Sequence, residues 1–459
     1  VSQPADDSAD AGAGAEEPGA ERWGLGSPAH VAVLGASWSQ KESSSSNLVE
    51  KEEGNIVVAR KEIESINVNG KEDNKDGNGE DKDPSVKCSL GSLLEELVQL
   101  PVENLDKGCS VIIDLMGKLI HIFGQGLSDS FYPVPTAVRV GSAFEGWSPC
   151  AHNVVYCVLV ALSPPPGHTF HLERDTVGMP HRSFCVPVEL LCTCMREQPG
   201  EDMLCFLHHP EEELRRKQEP SLLHTLCTGS YLDVEKTVQW FCQFVRVAWL
   251  LLPQSRHWHL MLQPSSRSCT FQLSKEKEGF VAEMIFGVRQ GDSDIFVGSQ
   301  PSQAGIPSTT RLETYAVAEA KFFRHISRQA PQDSWHCRCL QLLSGSLMGV
   351  GLSSSTLKTV LMHLLSTVPL TEWSRRDLGQ RLMDILKYLH CSLKTKRLEH
   401  FVIGSESFPM EIRLPSDLRL AEPLKLFQHL ASNPDAHVKA MQEYIYLLHQ
   451  LKQLLIHGP

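Results

Sequence analysis

Hydrophobic positions recur with two periods in this chain, and the period changes twice along it. From Leu105 to Leu127 the apolar residues Leu105, Cys109, Ile112, Met116, Leu119, Phe123 and Leu127 fall every three or four positions, which is one face of a helix. Leu90 to Leu100 repeats the spacing, so two helices joined at Pro101 are predicted, the second a spine that packs along both halves of the fold. Gly108 and Gly117 weaken that helix by ~1 kcal/mol each. The pattern then shortens to strand-like runs at Val138–Val140, Val154–Leu162, Thr169–Leu172 and Val186–Cys194. Met195–Asp202 reads as a hairpin loop that returns as a strand over Met203–His208. Val238–Leu252 is helical, and His257–Gln263, Cys269–Leu273 and Gly279–Val288 read as strands. Beyond Thr314 helical spacing takes over, at Ala316–Gln329, Ser334–Leu347, Ser354–Thr367 and Arg375–Leu393. Asn433-Pro434-Asp435 reads as an N-cap with proline at the first helical position. It opens a last helix striped by Val438, Met441, Ile445, Leu448, Leu451 and Leu455.

Composition divides the chain further. The net charge is −12, and residues 1–86 hold 18 Asp and Glu against 8 Lys and Arg. That stretch is poor in aromatics and rich in Ser, Gly, Asp, Glu and Asn, too polar to offset its ordering entropy, and is predicted to be disordered. The remainder carries only −2, so it has no overall basic footprint and no nucleic-acid partner is expected. Three parts follow: an acidic segment over 1–86, a mixed α/β lobe with the spine helix over 87–310, and a helical lobe over 311–459. The fold class is α+β. No run reaches the ~18 uncharged apolar residues of a membrane span; Val238–Leu252 is interrupted by Gln239, Gln243 and Arg246. The 14 cysteines sit mostly among apolar neighbours, which points to buried thiols in a reducing compartment.

The stretch Val138–Leu162 has the order in which polymerase-β-type nucleotidyltransferases open an active site: strand, Gly141-Ser142 turn, second strand. In that design the turn's backbone amides hold a triphosphate, and two carboxylates at i and i+2 of the next strand hold metal ions. The second half of the device is missing. Between Gly141 and Glu173 the only acidic residue is Glu145, and the strand reads Asn153-Val154-Val155-Tyr156-Cys157-Val158-Leu159, with no hard oxygen pair for Mg²⁺. Gly141, Ser142 and Glu145 are therefore a vestigial phosphate loop, and a tight turn that merely needs small residues accounts for the glycine and serine better. Glu283 lies on a strand where such folds place a third carboxylate. Lys358 is a candidate for the cleft between lobes, set against the simpler reading of a solvated helix lysine.

Cys192-x-Cys194, with Cys205 and His208-His209, offers soft donors in the number that tetrahedral Zn²⁺ takes. The spacing differs from a Cys-x-x-Cys knuckle and Cys205 has apolar neighbours, so core cysteines and no metal are expected. No cofactor is expected either.

Five segments carry a resemblance: GSAFEGWSP (Gly141–Pro149), SYLDVEKTVQWF (Ser230–Phe241), YAVAEAKFFRHI (Tyr315–Ile326), LKTVLMHLL (Leu357–Leu365) and LEHFVIG (Leu398–Gly404). They are similar to the inositol 1,4,5-trisphosphate receptor-interacting protein-like family, whose Mab-21-type domain is related to the cyclic GMP-AMP synthase fold. The resemblance implies a bilobal nucleotidyltransferase-like architecture and a single-pass membrane protein whose span precedes an acidic segment. Glu42–Asn47 (ESSSSN) resembles that segment, with no span before it in this chain. By resemblance the partner is a membrane protein of the inositol trisphosphate receptor class. The function expected is that of a non-catalytic, membrane-associated regulator on a degenerate scaffold. The alternatives are a nucleotide or inositol-phosphate sensor and, last, an active metal-dependent nucleotidyltransferase using Glu145 and Glu283.

Overall fold

Helix α1 runs Leu90–Gly126 through Pro101 without a break, so the two expected helices are one. A proline removes one backbone donor from a helix, and here the helix continues into a segment anchored elsewhere: Leu105, Ile112, Met116, Leu119 and Phe123 are all buried. The computed structural model describes residues 90–126, 130–148, 154–175, 182–194, 203–300, 306–332, 334–346, 352–404 and 408–457. The expected disordered segment lies outside these residues.

The strands are β1 (Val134–Arg139), β2 (Val155–Ser163), β3 (His168–Phe170), β4 (Glu173–Asp175), β5 (Ser183–Cys185), β6 (Val188–Leu190), β7 (Cys227–Thr228), β8 (Tyr231–Leu232), β9 (His259–Gln263), β10 (Cys269–Lys275), β11 (Glu278–Arg289), β12 (Phe296–Gly298) and β13 (Thr310–Thr314). Nine of the described strands form one sheet along the path β1-β2-β11-β12-β13-β5-β4, with β10 and β9 continuing from β11. Strands β2 and β11 are parallel, with Cys157 opposite Glu283, and the other pairings are antiparallel. Two small hairpin-like pairs, β3–β6 and β7–β8, lie outside it.

Alternation along β2 explains why this sheet is central. Tyr156, Val158, Val160 and Leu162 share one face, in the core with α1 and with helix α4 (Val234–Leu251, after the short α2, Glu211–Lys217, and α3, Leu222–Thr225). Leu159 points the other way, into a cluster with Val140, Ile285, Phe296 and Val317. Each such fully buried side chain contributes about 1.5–3 kcal/mol.

The helical part comprises α5 (Ala316–Gln329), α6 (His336–Ser346), α7 (Ser354–Thr367), α8 (Leu378–Thr395), α9 (Ser416–Arg419), α10 (Gln428–Ser432) and α11 (Pro434–His457). It has a core of its own, built on Phe322, Leu361, Trp373, Leu386 and Leu447. Helices α5 and α7 have the residues that the spacing predicts, and α11 opens as predicted, with Asn433 Oδ1 accepting the Ala436 N–H at 3.1 Å. The sheet's last strand reaches Thr314. Buried Asp294 ties sheet to helices: Lys321 Nζ lies 2.8 Å from both its oxygens, and the Arg413 N–H donates to one of them at 3.0 Å.

One expected strand is absent. Met203–His208 does not return along Val186–Cys194; Cys205–Thr225 is instead a turn followed by two short helices. The reason is local. The Cys205 carbonyl accepts the N–H groups of both His208 and His209, at 3.3 and 3.2 Å, which curls the chain back on itself.

Candidate functional site

The turn after β1 begins at Gly141, whose φ of 82° and ψ of 173° suit glycine alone. A Cβ there would lie 3.3 Å from the Cys157 Cβ on β2, so the turn is pressed against the sheet. A 3₁₀ turn over Ser142–Glu145 follows, held by Phe144 and Glu145 N–H groups donating to the Gly141 carbonyl at 3.1 and 3.2 Å. It aims Glu145 inward, towards the helical part.

There Glu145 meets Lys358. Lys358 Nζ lies 2.6 Å from Glu145 Oε1 and 2.7 Å from Glu319 Oε2, and 5.5 Å above the Phe323 ring. The indole N–H of Trp147 donates to the other Glu145 oxygen at 3.0 Å. The Glu145 side chain is 0% exposed and Lys358 only 10%. The Cys337 thiol contacts the Glu145 carbonyl at 3.3 Å. The cluster therefore closes on itself: one ammonium, two carboxylates, an indole donor and an aromatic face.

Its electrostatics follow from that closure. Burial raises the Glu145 carboxyl above its ordinary range against the pull of Lys358. Burial also opposes charge on Lys358, but the two carboxylates outweigh it and keep the ammonium protonated. Glu319 is held below its ordinary range because Lys358 offsets its own burial. Burial, then Glu283 and Glu145, push the Cys157 thiol up to about 12. Burial and Glu145 do the same to Cys337. Neither thiol is a nucleophile at neutral pH.

Glu283 does not join this cluster. It sits opposite Cys157 in the β2–β11 register, on the same sheet face as Ile285, and among the described residues no hydrogen bond or ion pair links it to Glu145, Lys358 or Glu319. Lys358, set against a solvated-lysine reading in the sequence, is buried.

The cysteines differ most from expectation. Of the three candidate ligands, Cys192 and Cys194 are exposed rather than core residues and Cys205 is buried. One ligand atom from each of Cys192, Cys194, Cys205 and His208 falls within 4.8 Å of all the others. Although burial opposes it, the Thr193 and Leu207 backbone N–H groups bring the Cys205 thiol down to about 5.

Comparison with known proteins gives the same result at two scales. Residues 346–406, the stretch that includes Lys358, match the family model described as the Mab-21 protein HhH/H2TH-like domain. Over 380 residues the chain is 34% identical to "Inositol 1,4,5-trisphosphate receptor-interacting protein-like 1" of Rattus norvegicus, covering 80% of this chain and 69% of that protein. The Mus musculus protein of the same name is 36% identical over 379 residues, with the same coverage. The chain belongs to the inositol 1,4,5-trisphosphate receptor-interacting protein family. A more distant member, "Inositol 1,4,5-trisphosphate receptor-interacting protein" of Homo sapiens, is 30% identical over 362 residues, 71% of this chain and 64% of its own.

Three of the segments that carry the family resemblance meet in the cluster. Gly141–Pro149 supplies Glu145 and Trp147, Tyr315–Ile326 supplies Glu319 and Phe323, and Leu357–Leu365 supplies Lys358. Sequence reasoning named Glu145 and Lys358 separately and missed Glu319 and Trp147. A charged residue in the apolar stripe of a predicted helix, as Glu319 is between Ala318 and Phe322, was the available signal.

Proposed function

We propose that this chain is a non-catalytic, membrane-associated interaction protein built on a degenerate nucleotidyltransferase scaffold. By resemblance its partner is an inositol trisphosphate receptor, the class that the relatives' names state for them. The observation that carries the reading is the Glu145–Lys358–Glu319 cluster. Two-metal phosphoryl chemistry needs several carboxylates converging on ions ~4 Å apart. Here Val155 and Cys157 stand on the strand after the turn, Glu283 lies across from Cys157, and Glu145 is neutralised by an ammonium. A paired Mg²⁺ centre does not fit that donor set, and no step is derived through one. Lys358, the cation paired with Glu145 beside the turn, is already committed to two carboxylates, which disfavours the sensor reading.

Among the described residues no helix is long and apolar enough to cross a membrane, so membrane association in this reading rests on family resemblance and on the partner. The test has two arms on the purified chain. Incubation with Mg²⁺ and labelled ATP or GTP is expected to yield no nucleotidyl transfer, and a detergent-solubilised inositol trisphosphate receptor is expected to be retained on the immobilised chain. Transfer that disappears in Glu283→Gln overturns the non-catalytic reading, and failure to retain the receptor overturns the partner.

A further inference from the structure

We propose that Cys192, Cys194, Cys205 and His208 form a structural Zn²⁺ site, independent of the Glu145–Lys358 cluster. The chain brings the four together by two different means. Cys192 and Cys194 follow β6, two residues apart, with Cys194 at a turn. Cys205 and His208 lie on the turn closed by the Cys205 carbonyl. His208 Nδ1 ends up 3.5 Å from Cys192 Sγ, 3.1 Å from Cys194 Sγ and 3.5 Å from Cys205 Sγ.

Those distances match a tetrahedron. With Zn–S near 2.3 Å and Zn–N near 2.0–2.1 Å, the sulfur–nitrogen edges are roughly 3.6 Å and the sulfur–sulfur edges roughly 3.8 Å. All four donor atoms here lie within 4.8 Å of one another, so a central ion needs only small rotations of three exposed side chains. Hydrogen bonding to the imidazole alone does not account for the arrangement. A neutral imidazole nitrogen has one lone pair and accepts one S–H, yet three thiols converge on it. All three cysteines are free, so no disulfide accounts for it either. His209 is not a ligand: its Nδ1 lies 3.2 Å from the Cys205 carbonyl.

Four protein ligands leave no open position, so the ion holds structure rather than doing chemistry. It staples the chain after β6 to the turn that carries Phe206. That ring packs on Phe131 and His168, with centroids 4.7 and 5.3 Å away, and also lines a cavity of about 390 Å³ with Leu214, Arg215 and His224. The ion would thus set the wall of that cavity.

The test is metal content of the full chain, expressed and purified without chelator under reducing conditions. Elemental analysis is expected to find about one zinc per chain. Cys194→Ser and His208→Ala, both at exposed positions, are expected to lower it at least tenfold, while Cys391→Ser, an exposed cysteine elsewhere, leaves it unchanged. Exchange with Co²⁺ is expected to give thiolate charge-transfer and tetrahedral ligand-field bands that Cys194→Ser shifts. Wild-type protein that is folded by circular dichroism yet carries no zinc and gives no such bands overturns the proposal. So does zinc that persists unchanged in both variants, or a disulfide among the three cysteines.

Discussion

Two polar clusters of this chain are opposites. At the junction of sheet and helices, Lys358 is shared by Glu145 and Glu319, Trp147 donates to the second Glu145 oxygen, and each charge is partnered inside the cluster. Beside β6, three thiols and an imidazole face one another with no charge paired among them and three of the four residues exposed. The first arrangement leaves no vacancy for a ligand. The second is incomplete without one. Charge alone does not mark a binding site; the informative quantity is whether a cluster is satisfied by its own members.

The closed cluster breaks most severely when its cation goes. Lys358→Met leaves two carboxylates facing each other in the interior, and removing one partner of a buried charge set costs about 3–5 kcal/mol. Urea unfolding monitored by tryptophan fluorescence should show a midpoint lowered accordingly at unchanged slope. Adding Glu145→Gln and Glu319→Gln should recover most of the loss, because the penalty comes from uncompensated charge. A Lys358→Met variant as stable as the parent would show that the junction is not closed, and would reopen the cleft to ligands.

His336 sharpens the same contrast, since it starts α6 beside Cys337, which touches the Glu145 carbonyl. Burial lowers its pKa to about 4, and its Nδ1 lies 2.8 Å from the Ser334 hydroxyl. The native state therefore keeps His336 neutral where the unfolded chain protonates it near 6.5. Its contribution is present in full above that value, is lost as pH falls from about 6.5 towards about 4, and changes no further below. The shift corresponds to about 3 kcal/mol. Chemical denaturation at pH 7 and pH 4.5 should show part of this loss in the parent and less in His336→Gln.

How far the sequence disclosed all this depends on the range of each interaction. Helices α5 and α7 were legible to the residue because 3.6-residue periodicity is local. Strands β4, β5, β12 and β13 were not, because three to five residues carry too little pattern and their pairing is set by the sheet. Gly108 reads as a weak point of a helix, yet the Tyr156 ring lies where a Cβ would be, so the glycine makes room for β2. Glu145 and Lys358 were each visible and their pairing was not, since 213 residues separate them. The Cys–His cluster was discounted on spacing; the tight turn at Cys205, rather than a knuckle, supplies the second pair of donors.

The smallest of these effects bears on the turn itself. Gly141 is essential either to a phosphate cradle or only to the turn's geometry. At φ 82° and ψ 173° any side chain is strained, by about 1–3 kcal/mol. The added Cβ would also lie 3.3 Å from the Cβ of Cys157, and Cys157→Ala gives no relief because it keeps that atom. Gly141→Ala should therefore lower stability by about 2 kcal/mol, with or without Cys157→Ala. If the turn is only a turn, ATP, GTP and inositol trisphosphate leave the thermal midpoint of both parent and variant unmoved. A ligand-induced rise in the parent that Gly141→Ala removes would mean that the backbone amides still bind phosphate, and that the junction opens further than the Lys358 pairing implies.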